Sequence, residues 1–447
     1  MRKILIICGA VSTLLLGACV GDSSRPQATG EGRIRAVNTI PTAPAILTQI
    51  EERVLANVDY AGISNPATFD DLLYNFNFEV TLAGDLLRTR IATYELKMEK
   101  DVFYTLVASG DLNAPDISHW EKPIREWEGT ETVFEAQFAH TAESLGAIDI
   151  YFAAPGVAPA AGQEIGTLSF GEILPVADYP GGDYVYTMTS SGNPGDILFT
   201  SSTITPDLAT GFIISVFDGT ADDPGEYSVK IFFDGGFNTS VLSDAVPPTV
   251  RFIHANATIG ATDIYTDELL MDQILGGHAY RDVSGDIDLA TAAYPFTYTA
   301  AGNAGSVLVE QTLIIPGALR SQIYLLGDDS SPVLGIRIPE RRSVETEVKF
   351  NFLHAAVNHP LVDLYIVDAG TDITDEDPTF FRVGVGQSPP TINTGDGDKE
   401  LYLTTADEKT IISGPVSLTI AYGDVYEYVS FDNVDPATAD LVEIPLP

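Results

Sequence analysis

The sequence predicts an all-β chain of tandem β-sandwich domains, and three observations carry that prediction. First, one motif occurs three times with fixed spacing: Phe138-Ala-His140 with Asp149 and Tyr151, Phe252-Ile-His254 with Asp263 and Tyr265, and Phe352-Leu-His354 with Asp363 and Tyr365. In each copy Asp follows His by nine residues and Tyr by eleven, and successive histidines lie 114 and 100 residues apart. That period is the size of one small sandwich. Second, short runs of β-branched and aromatic residues, such as Tyr184-Val-Tyr-Thr-Met and Leu401-Tyr-Leu-Thr-Thr, alternate with turn signals such as Gly192-Asn-Pro-Gly. Third, long stretches with a 3.6-residue apolar period are scarce.

The chain opens with a targeting segment, residues 1–18. Arg2 and Lys3 form a positive n-region, and Ile4 to Leu16 an apolar run of thirteen residues, short for a membrane span of about 20. The run ends in Leu16-Gly17-Ala18-Cys19, which resembles the bacterial lipobox. The resemblance implies cleavage before Cys19 and acylation of it. The alternative is an ordinary secretory signal with an incidental cysteine. Cys8 leaves with the signal, so no internal disulfide is available. Val20 follows in place of the aspartate of inner-membrane retention signals, which points the lipoprotein to an outer membrane. Residues 19–32, polar and glycine-containing, read as a flexible tether.

Four repeats follow. The first, 33–128, is degenerate: Asn38 stands where the histidine is expected, and Leu47 and Gln49 hold the Asp and Tyr positions. Its Tyr60-Ala-Gly-Ile63-Ser64 nevertheless echoes Tyr280-Arg-Asp-Val283-Ser284. Repeats at 129–244, 245–341 and 342–447 carry the full motif. The only tryptophans, Trp120 and Trp127, end the first repeat and are expected to fill its joint with the second, because large aromatics are usually buried. An exposed carbohydrate platform is the other reading.

The third repeat brings a family into view. Val250-Arg-Phe-Ile-His254-Ala, Asp263-Ile-Tyr265, Gly277-His-Ala-Tyr280-Arg-Asp-Val283-Ser284-Gly285 and Tyr294-Pro-Phe-Thr-Tyr-Thr-Ala-Ala-Gly302 together resemble the bacterial extracytoplasmic family known as domain of unknown function 4397. The second and fourth repeats match at their starts, the first loosely. The resemblance implies tandem immunoglobulin-like β-sandwiches on secreted or anchored proteins, and brings no established activity.

Composition narrows the function. The net charge is −40, with 63 acidic and 23 basic residues; removal of Arg2 and Lys3 with the signal makes it −42. Such a charge argues against nucleic acid and against anionic head groups, both of which need lysine and arginine. Signatures of hydrolases and nucleotide-binding proteins are absent: the chain has no His-Glu-x-x-His, no Gly-x-Ser-x-Gly and no Gly-x-x-x-x-Gly-Lys. The recurrent His and Asp are expected to form a structural clasp, the imidazole bonded to the carboxylate, since a folding feature recurs with the fold. Zinc would need more histidine or cysteine per copy. Acidic clusters at Asp372, Asp375 and Asp377 and at Asp396 and Asp398 are weak calcium candidates without EF-hand spacing; no other cofactor is expected.

These readings converge on a lipid-anchored, non-enzymatic, rod-like binding or spacer module of the cell envelope. It would be attached to the membrane through Cys19 and open to a protein or glycan ligand. A calcium-dependent adhesin or glycan binder is the main rival. A carboxylate-based glycoside hydrolase is the more distant one.

Overall fold

The computed structural model describes residues 27–446 except 52, 85 and 86; the signal segment and Cys19 lie outside the described residues. The chain is a series of four β-sandwiches with one strand order repeated four times. The second unit shows it: Val133–His140, Ile148–Ala153, Gly166–Leu168, Ala177–Pro180, Val185–Ser190, Ile197–Thr200, Gly211–Asp218 and Tyr227–Phe233. Numbered within the unit, one sheet runs 4-1-7-8 and the other 3-2-5-6. The first and seventh strands pair in parallel and the rest are antiparallel. A short ninth strand, Asn238–Ser240, caps the first sheet of this unit. The degenerate first unit, from Glu31 to Pro123, has the same eight strands in the same order.

The end of the stretch expected to be tether packs with the first unit. The first strand begins at Glu31, and ahead of it the Thr29 and Gly30 amides already donate to the Asp71 carboxylate, at 2.6 and 3.1 Å.

Alternation along the second strand sorts side chains between the two faces. Ile148, Ile150 and Phe152 enter the core, while Asp149 and Tyr151 lie on the opposite face. First strands do not alternate: all seven residues of Val348–His354 are buried, as are all six of Thr249–His254. Both faces of such a strand are covered, one by its own sandwich and one by a neighbouring unit.

The neighbours pair off. Units one and two put their first sheets face to face, with Val37, Val107 and Trp120 against Ala139, Ile213, Phe217 and Phe232. Units three and four do the same, with Ile253, Tyr324 and Leu326 against Leu353, Val429 and Phe431. Trp120 fills the first joint and donates its indole N–H to the Gly171 carbonyl at 3.2 Å. Trp127 is half-buried outside that cluster, its ring 4.1 Å from the Arg125 guanidinium carbon.

The array is not a rod. The linker from unit three to unit four crosses back onto unit one, where the buried Arg342 guanidinium donates to the carbonyls of Pro41 at 2.9 Å and Ala43 at 2.7 Å and to Asp59. Beside it, Glu345 N–H donates to Thr42 O at 2.8 Å and Ala83 N–H to Thr346 O at 2.9 Å. The preceding residue, Arg341, turns its N–H to Asp222 of unit two at 2.5 Å. First and last units are thus in contact, and one arginine pair fastens the linker to both members of the opposite pair.

Candidate functional site

Each recurrent histidine ends the first strand of its unit and closes the loop that follows. His140 Nε2 bonds the Gly146 carbonyl at 2.9 Å, His254 Nε2 that of Gly260 at 3.1 Å, and His354 Nε2 that of His359 at 2.6 Å. A carbonyl only accepts, so Nε2 carries the proton. In unit four this leaves Nδ1 to accept from the Ser430 hydroxyl at 2.6 Å. Asn38 does the same work in unit one: its Nδ2 donates to Pro44 O at 3.2 Å and Val58 O at 3.3 Å. Burial pulls His354 and His278 down to about 4 and lowers His140 and His254. All four therefore stay neutral at physiological pH.

The aspartates bind elsewhere, so the expected His–Asp pair is two separate clasps. Asp263 accepts the N–H groups of Gly277 and Gly302, both at 2.8 Å. Asp363 takes those of Arg382 at 2.6 Å and Asp407 at 3.1 Å, and Asp149 takes Gly192 N–H at 2.7 Å and the Thr167 hydroxyl at 2.6 Å. Gly192, Gly302 and Asp407 occupy equivalent turns with φ of 76°, 72° and 67°. That left-handed backbone aims an amide at the carboxylate and favours glycine. The separation has a physical cause. Histidine belongs to the first sheet, whereas the aspartate points away from that sheet on the outer face of the second. Tyr151, Tyr265 and Tyr365 share that outer face and are buried beside their aspartates.

The acidic loop at 372–377 already encloses a cation. Lys409 Nζ donates to the carbonyls of Ile373, Thr374 and Glu376 at 2.9, 2.7 and 2.7 Å. Asp372 caps the short 3-10 turn by accepting from Thr374 N–H, and Asp375 and Asp377 are exposed. Asp398 accepts the Thr419 hydroxyl at 2.6 Å, and Asp396 lies exposed nearby. Among the described residues no group of three or more His, Cys, Asp or Glu is disposed to hold a metal ion.

The joints differ in how they are filled. Between units three and four the buried Glu427 accepts from Tyr324 and Gln322, both at 2.8 Å, with Arg337 at 3.6 Å. Between units one and two Lys122 meets Asp234 at 2.7 Å and Glu135 at 3.5 Å. Between units two and three Arg320 Nε donates to Asp223 O at 2.7 Å. Beside that contact a cleft of about 450 Å³ stays open, walled by Leu242, Val246, Pro247, Pro248, Leu289, Ala290 and Ala318. Ser202, Ser243, Asp244, Asp288 and Thr291 complete its lining. The volume lies in the range of small-molecule sites, which favour domain joints. Sequence reading missed it because its walls come from an inter-unit linker and two loops with no periodic pattern. Pro247-Pro248 was the one local signal.

No protein-family model matches the chain, and neither does any curated protein. Among solved structures the chain is similar to the Bacillus anthracis TIE protein, at 11% identity and a TM-score of 0.16, over 91% of this chain and 69% of that one. At that TM-score neither the fold nor any role of that protein is carried to this chain.

Proposed function

We propose that this chain is a non-enzymatic binding module of the cell envelope, held to an outer membrane by acylated Cys19, with the cleft between units two and three as its ligand surface. The observation that carries the reading is that cleft, open and mainly apolar where the other joints are packed or ion-paired. The recurring polar residues favour binding over catalysis, since histidines and aspartates are spent on loops and turns. A spacer role fits poorly with units one and four in contact, because a spacer gains reach by keeping its units apart. The resemblance to domain of unknown function 4397 agrees with an extracytoplasmic address.

Titration of the chain from Val20 onward with Nile red, a neutral apolar dye, tests this. The reading expects saturable binding of about one dye per chain, lost in Ala290→Trp, whose indole would fill the cleft from an exposed position. Absence of saturable binding, or full binding by Ala290→Trp, would contradict it.

A further inference from the structure

We propose that the cleft between units two and three selects a small molecule with an apolar body and a cationic head, of the alkylamine or arylalkylamine class. The inference rests on the binding reading above and deepens it. Leu242, Val246, Pro247, Leu289 and Ala290 form walls that would strip water from a hydrocarbon body, at about 25 cal/mol for each Å² covered. The polar part of the lining is one-sided: two carboxylates, Asp244 and Asp288, and no lysine, arginine or histidine.

Asp244 uses one oxygen to accept the Ser202 hydroxyl at 2.8 Å and has the other left. Asp288, exposed at the rim, has no side-chain hydrogen bond or ion pair among the described residues. An anionic head group would be repelled by both carboxylates at the rim, whereas an ammonium would gain from each, most at low salt where exposed charges are least screened. The net charge of −40 acts in the same direction at longer range, raising the local concentration of cations at the surface. Specificity here comes from repulsion of acids as much as from attraction of amines.

Three molecules with one body separate the terms: 4-phenylbutylamine, 4-phenylbutanol and 4-phenylbutyrate, titrated by calorimetry into the chain from Val20 onward at low salt. The expected order is amine over alcohol by about tenfold, the equivalent of 1.4 kcal/mol, and no detectable binding of the acid. Asp244→Asn combined with Asp288→Asn is expected to abolish most of the amine's tenfold advantage over the alcohol. Both positions are at the rim, and an unchanged unfolding midpoint certifies the fold. Binding of the acid as tight as the amine, or an amine preference that survives both substitutions, would overturn the proposed selectivity while leaving the cleft as a binding site. Failure of all three molecules to bind would remove the cleft itself, and with it the reading on which the selectivity rests.

Discussion

The Tyr280 hydroxyl donates to the main-chain carbonyl of Asp432, 152 positions along the chain, at 2.8 Å. Tyr60 and Asp218 repeat the contact between units one and two at 2.6 Å. In both places the tyrosine ring meets a phenylalanine edge-on at 5.8 Å, Phe431 in one and Phe217 in the other. In both, the carboxylate of the same aspartate receives two successive amides at the start of the loop after the first strand: Glu143 and Ser144 for Asp218, Val357 and Asn358 for Asp432. The repeating element is thus a pair of sandwiches as well as a single one. Each odd unit docks a tyrosine on the end of its even partner's seventh strand.

Tyr280→Phe removes this donor and keeps the ring. One neutral hydrogen bond is worth about 1 kcal/mol, so denaturant unfolding should show a loss of that size, with a similar loss for Tyr60→Phe. The two changes lie in different pairs and should add within about 0.5 kcal/mol in the double variant. No loss in either would show that the tyrosines merely fill space.

Asp263→Ala leaves the amides of Gly277 and Gly302, both on exposed turns, without their carboxylate acceptor. Bonds to a charged acceptor are the stronger kind, but water can reach the freed amides, so the expected cost is about 1–3 kcal/mol by chemical denaturation. Leu47, at the same place in unit one, shows that a unit can fold without this carboxylate when its turn is built differently, so the loss should fall short of abolishing the fold.

His354 gives the fold a pH dependence with a defined sign. Burial holds its pKa at about 4 against an ordinary 6.5, the bond to the His359 carbonyl offsetting only part of that. Between these values the unfolded chain binds a proton that the folded chain refuses, so stability falls as pH falls from 6.5 to 4, by about 3 kcal/mol in all. Asn38 fills the same position in unit one with a donor that does not titrate. His354→Asn should therefore flatten the stability–pH curve in that window relative to the native chain, measured by urea unfolding at stepped pH. An unchanged slope would place the proton uptake on other groups.

Cys19→Ser should release the protein from the membrane fraction and leave its signal uncleaved by the lipoprotein route, read by fractionation and by incorporation of labelled palmitate. Membrane retention of the variant would point to another means of attachment.

Much of the fold was legible because sandwich strands write their burial into the sequence. The His, Asp and Tyr spacing fixed the repeat length, and Tyr60-Ala-Gly-Ile-Ser pointed to a first unit despite its lost motif. What could not be read was which partner each polar residue takes. Nine residues from His254, Asp263 looks like its neighbour, yet the two lie on different sheets and face different ways. Asn38 looked like decay because histidine and asparagine differ in kind, although both can donate to a carbonyl across a loop. The return of the chain onto itself was invisible for a related reason: Arg341-Arg342 stood in a linker, and nothing local indicates that a linker's guanidinium will be swallowed by a unit some 300 residues earlier. The cleft depends on that same assembly of units, so it shared the same obscurity.

The most direct test of the account is small-angle X-ray scattering of the chain from Val20 onward. Four units closed on one another through Arg342 predict a radius of gyration of about 22–27 Å, close to that of a compact chain of this length. They also predict a measurable expansion in Arg342→Ala. A radius near twice that value for the native chain would mean an extended array, and would contradict both the contact between units one and four and the fixed cleft assigned to the joint of units two and three.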